Sequence, residues 1–307
     1  MVYDLIIVGS GPAGLSAAVY GKRAGLDLLV IEKNYMSGGQ VLNTYEVDNY
    51  LGMPGINGFD MGMQFREHAD KLGVEHAEGQ VIDIVNGKIK KVITTQGEYE
   101  AYAVILAMGA GHAHLDVPGE ERLTGRGVSY CATCDGAFYR GKTVAVVGGG
   151  NVALEDAVYL ARFCEKVYLI HRRDEFRGEK ILQKQVEALE NIEPLYSHTV
   201  QEICGEEQVT HVIIKDVKTE TQKELPVNGI FIAVGIVPGT AWVPEFIQKD
   251  EKGYIVADED CETSARGIFA AGDVRTKLLR QIITAVSDGA NAAVRAGSYI
   301  NQEKFVK

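Results

Sequence analysis

The chain is 307 residues long and 46% hydrophobic, which suffices for a large core and suggests about two domains of ordinary size. A formal net charge of −11 argues against nonspecific binding to nucleic acid or to an anionic membrane surface, because both need clustered Lys and Arg. Neither a basic leader nor an apolar run of transmembrane length is visible, so a soluble, cytoplasmic protein is expected.

The first predicted element is the strand Leu5-Ile6-Ile7-Val8. A glycine turn follows, Gly9-Ser10-Gly11-Pro12-Ala13-Gly14, then an Ala-rich helix and a second strand, Leu28-Leu29-Val30-Ile31, that ends at Glu32. In such a unit the first glycine makes a tight turn and the second lets the backbone approach a pyrophosphate. The third position must be small so that helix and strand can pack. Phosphate then sits on free N–H groups at the helix N-terminus. Glu32 stands where the ribose is read, and its carboxylate suits the 2′-hydroxyl of the adenosine of FAD or NAD.

A further strand, Val104-Ile105-Leu106-Ala107, runs toward Gly109; it either passes close to something there or simply stops at a turn. Val117-Pro118-Gly119-Glu120-Glu121 reads as a domain boundary. The five cysteines are Cys131, Cys134, Cys164, Cys204 and Cys261, an odd and scattered set that argues against a structural disulfide framework. Only Cys131 and Cys134 form a C-x-x-C, and no second pair stands at zinc-site spacing, so the pair reads as a redox dithiol and the other three as inert. A C-x-x-C closes a small disulfide ring, and a helix beginning there favours the thiolate that attacks disulfides.

The plan of the N-terminal stretch then repeats. Val144-Ala145-Val146-Val147 leads into Gly148-Gly149-Gly150-Asn151-Val152-Ala153, a helix, and Val167-Tyr168-Leu169-Ile170, followed by His171; in both copies 23 positions separate the first glycine from the residue ending the second strand. The second copy has no acid at that place. It presents His171, Arg172, Arg173 and Arg177 instead, and planar forked donors of this kind are what a 2′-phosphate needs. The second unit is therefore expected to take NADPH rather than NADH.

Two more strands end in glycine, Ile230 to Val234 before Gly235 and Ile268 to Ala271 before Gly272-Asp273, and Pro238-Gly239-Thr240 reads as the return to the first domain. The expected fold is α/β, with two Rossmann-like three-layer dinucleotide-binding domains, the NADPH domain inserted into the FAD domain. The FAD-binding domain would be discontinuous, residues 1–117 and 243–307, and the NADPH-binding domain, residues 118–242, would carry the C-x-x-C. A two-electron relay follows, from NADPH through a flavin to a disulfide, the flavin performing what side chains cannot.

Gly9 to Gly14, Gly38-Gly39-Gln40, Gly127-Val128-Ser129, Cys131-Ala132-Thr133-Cys134-Asp135-Gly136, Gly148 to Asn151, His171-Arg172-Arg173-Asp174, Gly267 to Val274 and Arg280-Gln281 together resemble the low-molecular-weight thioredoxin reductases. The resemblance spans nearly the whole chain, and the Cys-Ala-Thr-Cys-Asp string between two nucleotide units is its most specific part. It implies a homodimer that reduces thioredoxin or a related redoxin. FAD would be held by the Gly9 to Gly14 loop, Glu32, Lys33, Gly39, Gln40, Asn49, Gly109 and the segment Gly272, Asp273, Arg280, Gln281 and Ile282. NADPH would bind Gly148, Gly150, Asn151, Val152, Ala153, His171, Arg172, Arg173 and Arg177. Cys134 would take electrons from the flavin, Cys131 would be the interchange thiol, and Asp135 would be a general acid or a helix cap. The family's alternation between two domain orientations implies hinges beside Val117 to Glu121 and near Pro238 to Thr240. Met108, Ile236 and Ala137 depart from the family pattern, the last where the partner redoxin would touch. The rival readings are a reductase of a different redoxin and a flavin-based redox sensor, although no DNA-binding motif supports the sensor.

Overall fold

The computed structural model describes every residue except Tyr45, Glu46, Asp48, Val306 and Lys307, and of Asn43, Cys134 and Phe305 the backbone alone. The chain divides into two compact units, residues 1–111 with 237–307, and residues 112–236. Among the described residues no helix is long and apolar enough to cross a membrane.

In the first unit the strands read as continuous apolar runs because both faces of their sheet are covered. Successive side chains point to opposite faces. Leu5, Ile7, Val30, Ala103, Ile105 and Phe269 join one buried cluster with the helix residues Leu15, Ala17, Ala292 and Ala296. Ile6, Val8, Leu29, Ile31, Val104, Leu106 and Ile268 join the opposite one with Val92, Val243, Ile247 and Ile255. Among the described residues the sheet has seven strands, in the order Glu75–Glu78, Leu28–Glu32, Val2–Val8, Gly97–Leu106, Lys90–Thr94, Val81–Val85, with Ile268–Ala270 also on Gly97–Leu106. The long strand serves two partners along one edge, Lys90–Thr94 antiparallel at its start and Ile268–Ala270 parallel at its end.

The second unit has a parallel sheet ordered Ile192–Tyr196, Lys166–His171, Thr143–Val147, Gly229–Ile232, Val128–Ser129. One face packs Val144, Val146, Leu169 and Phe231 against Ala153, Leu154, Ala157 and Leu160 of the helix Asn151–Ala161. The opposite face packs Ala145, Val147, Ile170 and Ile230 against Val200, Val212, Ile214 and Leu225, which come from the antiparallel meander His198–Cys204, His211–Asp216, Gln222–Pro226. Each unit thus has three layers, with helices covering one face of the sheet; the other face is covered by the meander in the second unit and by the stretch carrying Val243, Ile247 and Ile255 in the first.

The units change six residues earlier at each crossing than the sequence led us to expect. Residues 112–117 go with the second unit because the Ala113 N–H donates to the Gly235 carbonyl at 2.9 Å and Leu115 and Val117 pack on its core. Residues 237–242 go with the first because Trp242 packs on that core and Thr240 Oγ1 donates to the Gly253 carbonyl at 2.6 Å. Val117 to Glu121, beside which a hinge is expected, lies inside the second unit, just past the crossing at residues 111–112. The Ile203 N–H donates to the Pro118 carbonyl at 2.9 Å, and a Cβ on Gly119 would lie 1.9 Å from the Ile203 carbonyl oxygen.

Candidate functional site

In the first unit the helix Pro12–Arg23 starts at Gly11 without a side-chain cap. Pro12 at its first position has no N–H to leave unpaired, and the remaining free donors face outward for an anion. Gly9 has φ +103°, and a Cβ there would lie 2.5 Å from the Ala107 carbonyl oxygen, so the turn closes only over a bare α-carbon. Glu32 reaches back across this turn. Its Oε2 accepts from Ser10 N at 2.8 Å and from Ser10 Oγ at 2.9 Å, while Oε1 accepts from Asn34 N at 3.0 Å.

Two other expected residues, Gly39 and Gly272, approach the same helix end. A Cβ on Gly39 would lie 3.3 Å from the Gly11 α-carbon, and one on Gly272 would lie 2.9 Å from Ala13 Cβ. Gln40 continues the turn Gly39–Asn43. Asn49 Nδ2 donates to Gln281 Oε1 at 3.0 Å, joining two expected residues far apart in sequence. Arg280 lies 3.9 Å over the Tyr254 ring, and Ile282 opens the helix Ile282–Phe305. Lys33 is exposed, and Gly109 has φ +66° just past the long strand.

Asp273 Oδ1 is buried without a hydrogen-bond partner among the described residues. Burial holds its carboxyl above the ordinary value against the opposing pull of Lys277 and Arg280. A buried acceptor left unmatched is costly, and a ligand hydroxyl would satisfy it. Together with the uncapped helix and Glu32, it makes this unit fit a dinucleotide of the FAD type.

The second unit repeats the geometry with different chemistry. The helix Asn151–Ala161 starts at Gly150, again without a side-chain cap, and a Cβ on Gly150 would meet nothing within 4 Å. Gly149 is confined for another reason, since a Cβ there would fall 2.3 Å from the His171 ring. The N–H groups of Arg177 and Gly178 donate to the Gly149 carbonyl at 2.7 and 3.0 Å, and the Glu179 N–H donates to Asn151 Oδ1 at 2.8 Å. The arginine loop is thereby folded onto the glycine turn. Arg172, Arg173 and Arg177 are exposed, and among the described residues no carboxylate pairs with them. Val152 is exposed and Ala153 buried. Burial lowers the His171 pKa, assisted by the three guanidinium groups and opposed by a backbone hydrogen bond, and its Nε2 has no partner among the described residues. The unit fits a nucleotide carrying an extra phosphate.

Cys131 is disulfide-bonded, and the short helix Ala132–Asp135 begins directly after it. The side chain of Cys134, the other expected redox cysteine, lies outside the described residues. Cys131 N donates to Ser129 Oγ at 3.1 Å, and Ser129 Oγ donates to Asp135 Oδ2 at 2.6 Å. Asp135 precedes the turn Gly136–Tyr139 but makes no side-chain capping bond to it, so its carboxylate faces the redox turn and not a helix end. On the other side of Cys131, the Tyr130 hydroxyl donates to Glu120 Oε1 at 2.6 Å, and His114 Nδ1 lies 2.8 Å from the Tyr130 oxygen. Burial raises the Glu120 carboxyl, but hydrogen bonds from Tyr130 and the Leu115, Val117 and Asp116 N–H groups outweigh it and set the net value low. The sequence pattern marks neither Ser129 nor Glu120 as a site residue. Their partners lie on neighbouring turns, and no spacing rule reports such contacts.

The remaining thiols are of another kind. Cys164 and Cys261 are buried and free, burial pushing their pKa values up to about 11 and about 12, where thiolate is scarce. Cys204 is half-buried and raised for the same reason. Of the departures from the family pattern, Met108 packs on the first unit's core, Ala137 is exposed beside exposed Phe138, and Ile236 is exposed.

Residues 3–289 match the family model described as pyridine nucleotide-disulphide oxidoreductase. The chain is 45% identical over 305 residues to a thioredoxin reductase of Listeria innocua, covering 99% of this chain and 95% of that protein. It is 45% identical over 303 residues to that of Bacillus subtilis, covering 98% and 96%. The crystal structure of Lactococcus lactis thioredoxin reductase in its FR conformation aligns with a TM-score of 0.85 at 43% identity, covering 98% of this chain and 99% of that one.

Proposed function

Since the chain belongs to the thioredoxin reductases of the pyridine nucleotide-disulphide oxidoreductase family, we propose that it reduces oxidised thioredoxin with electrons from NADPH, using FAD and the Cys131/Cys134 dithiol. One observation carries the reading: a disulfide at Cys131, bonded into a polar turn with Ser129 and Asp135, in a chain with two separate dinucleotide cradles. The first cradle reads a ribose with Glu32 and offers Asp273 to a ligand hydroxyl. The second offers Arg172, Arg173 and Arg177 to a 2′-phosphate. Bound flavin supplies the two-electron carrier between nicotinamide and disulfide.

With the pair reduced, the Cys131 sulfur attacks the thioredoxin disulfide as its proton passes to the Asp135 carboxylate; a mixed disulfide forms, the partner's S–S bond breaks, and the leaving sulfur takes that proton from Asp135. The Cys134 sulfur then attacks Cys131 in that mixed disulfide and releases the second partner thiol. Thioredoxin has gained two electrons, and the Cys131–Cys134 bond is restored. A cytoplasmic location suits a chain whose Cys164, Cys204 and Cys261 are free, and a homodimer is what the family resemblance implies.

The test is NADPH-dependent reduction of a panel of redoxins. Thioredoxin is expected to respond and Cys131→Ser and Cys134→Ser to abolish turnover. Replacing Arg172, Arg173 or Arg177 singly by Ala is expected to lower kcat/KM for NADPH about tenfold each while leaving NADH unchanged. A colourless protein unable to take up flavin, or full activity without both sulfurs, would overturn the reading, and equal efficiency with NADPH and NADH would overturn the phosphate assignment.

A further inference from the structure

We propose that Ser129 is the positioning residue of the redox turn, holding the Asp135 carboxylate in a fixed place relative to the Cys131 backbone. The inference rests on the reading above, in which Asp135 carries the proton for the leaving thiol.

Ser129 is 5% exposed, and its backbone is fixed by parallel pairing opposite Phe231. Its hydroxyl oxygen accepts from Cys131 N at 3.1 Å. Its single hydrogen has two acceptors within reach, Asp135 Oδ2 at 2.6 Å and the Cys131 carbonyl at 3.2 Å. A charged acceptor at the shorter distance wins, so the proton lies toward Asp135. The Asp135 N–H in turn donates to the Cys131 carbonyl at 3.2 Å, which closes a ring of hydrogen bonds through Cys131, Ser129 and Asp135. Asp135 has no other side-chain anchor among the described residues, and without the hydroxyl its carboxylate would be free to rotate toward solvent. A serine that merely closed its own turn would need only the Cys131 N–H contact; the shorter bond to Asp135 is the additional one.

Flavin-loaded Ser129→Ala, Ser129→Thr, Asp135→Asn and the Ser129→Ala/Asp135→Asn double variant separate the cases. FAD content and NADP+ affinity in equilibrium dialysis should match the parent in all four, because the nucleotide cradles are untouched. Ser129→Ala is expected to lower kcat with thioredoxin about tenfold with KM within about twofold, the scale of one hydrogen bond to a charged group. Ser129→Thr, which keeps the hydroxyl, is expected to restore the rate to within about threefold of the parent. In the Asp135→Asn background Ser129→Ala should add no further loss. If Asp135→Asn is itself as fast as the parent, the proton role of Asp135 fails. If Asp135→Asn is slow and Ser129→Ala matches the parent, or the two losses multiply, the positioning role fails. Should Ser129→Ala not fold, a Ser129→Thr enzyme about tenfold slow would overturn the proposal alone.

Discussion

Asp156 lies in the helix that follows the second glycine turn, on the side that carries the buried Ala153 and Leu160. Burial, and after it the charge of Glu155, raises its pKa from 3.8 to about 7. A carboxyl with a raised folded pKa binds more protons in the native than in the unfolded state, so the contribution it makes to stability falls as pH rises. The penalty is absent below pH 3.8, grows as pH climbs, and is complete above about 7. A shift of this size corresponds to about 4 kcal/mol at full strength, and partial exposure leaves about 2. Asp156→Asn removes the charge at constant shape. It is expected to raise Tm by several degrees at pH 8 and by about a degree or less at pH 4, read as the variant-minus-parent difference in thermal melts. An equal gain at both pH values would mean that charge burial is not the cause.

At the scale of elements, the turn Gly272–Val274 and the helix Ile282–Phe305 are tied by one carboxylate. Asp288 accepts from Gly272 N at 2.9 Å, from Arg275 Nη1 at 3.1 Å and from Lys277 Nζ at 2.8 Å. Removing it takes the hydrogen-bonded carboxylate away from two buried cations, a loss of about 3–5 kcal/mol. Asp288→Ala is therefore expected to lower Tm markedly and, because Asp273 sits in the same turn, to weaken FAD retention in equilibrium dialysis. Unchanged FAD affinity in the folded variant would show that the turn does not depend on the helix. None of this tie was legible in the sequence. The strands and glycine turns were, because apolar runs and close backbone approach leave marks at fixed local spacing in Leu5 to Gly14 and Val144 to Ala153. Asp288 meets Gly272 across 16 positions and Asn49 meets Gln281 across 232, with no periodicity to announce either. The edge read at Val117 to Glu121 falls a few residues past the crossing for a related reason. Pro and Gly mark a break in regular structure, and here that break is clamped by Ile203 from a strand the local pattern does not connect to it.

For the whole molecule, the separate cores carry a thermodynamic consequence. Every buried cluster draws its described residues from one unit alone: Leu5, Phe269 and Ala296 in one, Ile6, Leu106 and Ile255 in another, and only residues between 112 and 236 in those around Ile230 and Phe231. Units with separate cores can unfold as separate cooperative blocks. A ligand stabilises only the block whose native state binds it, by RT ln(1 + [L]/Kd), about 2.7 kcal/mol at a hundredfold excess over Kd. Calorimetry of the flavin-loaded protein is expected to resolve two transitions. NADP+ should move one of them and leave the other in place, and Arg177→Ala should diminish that movement without shifting either transition in the ligand-free scan. A single transition that NADP+ displaces as a whole would mean that the two blocks melt together and that the crossings near residues 111 and 236 transmit cooperativity.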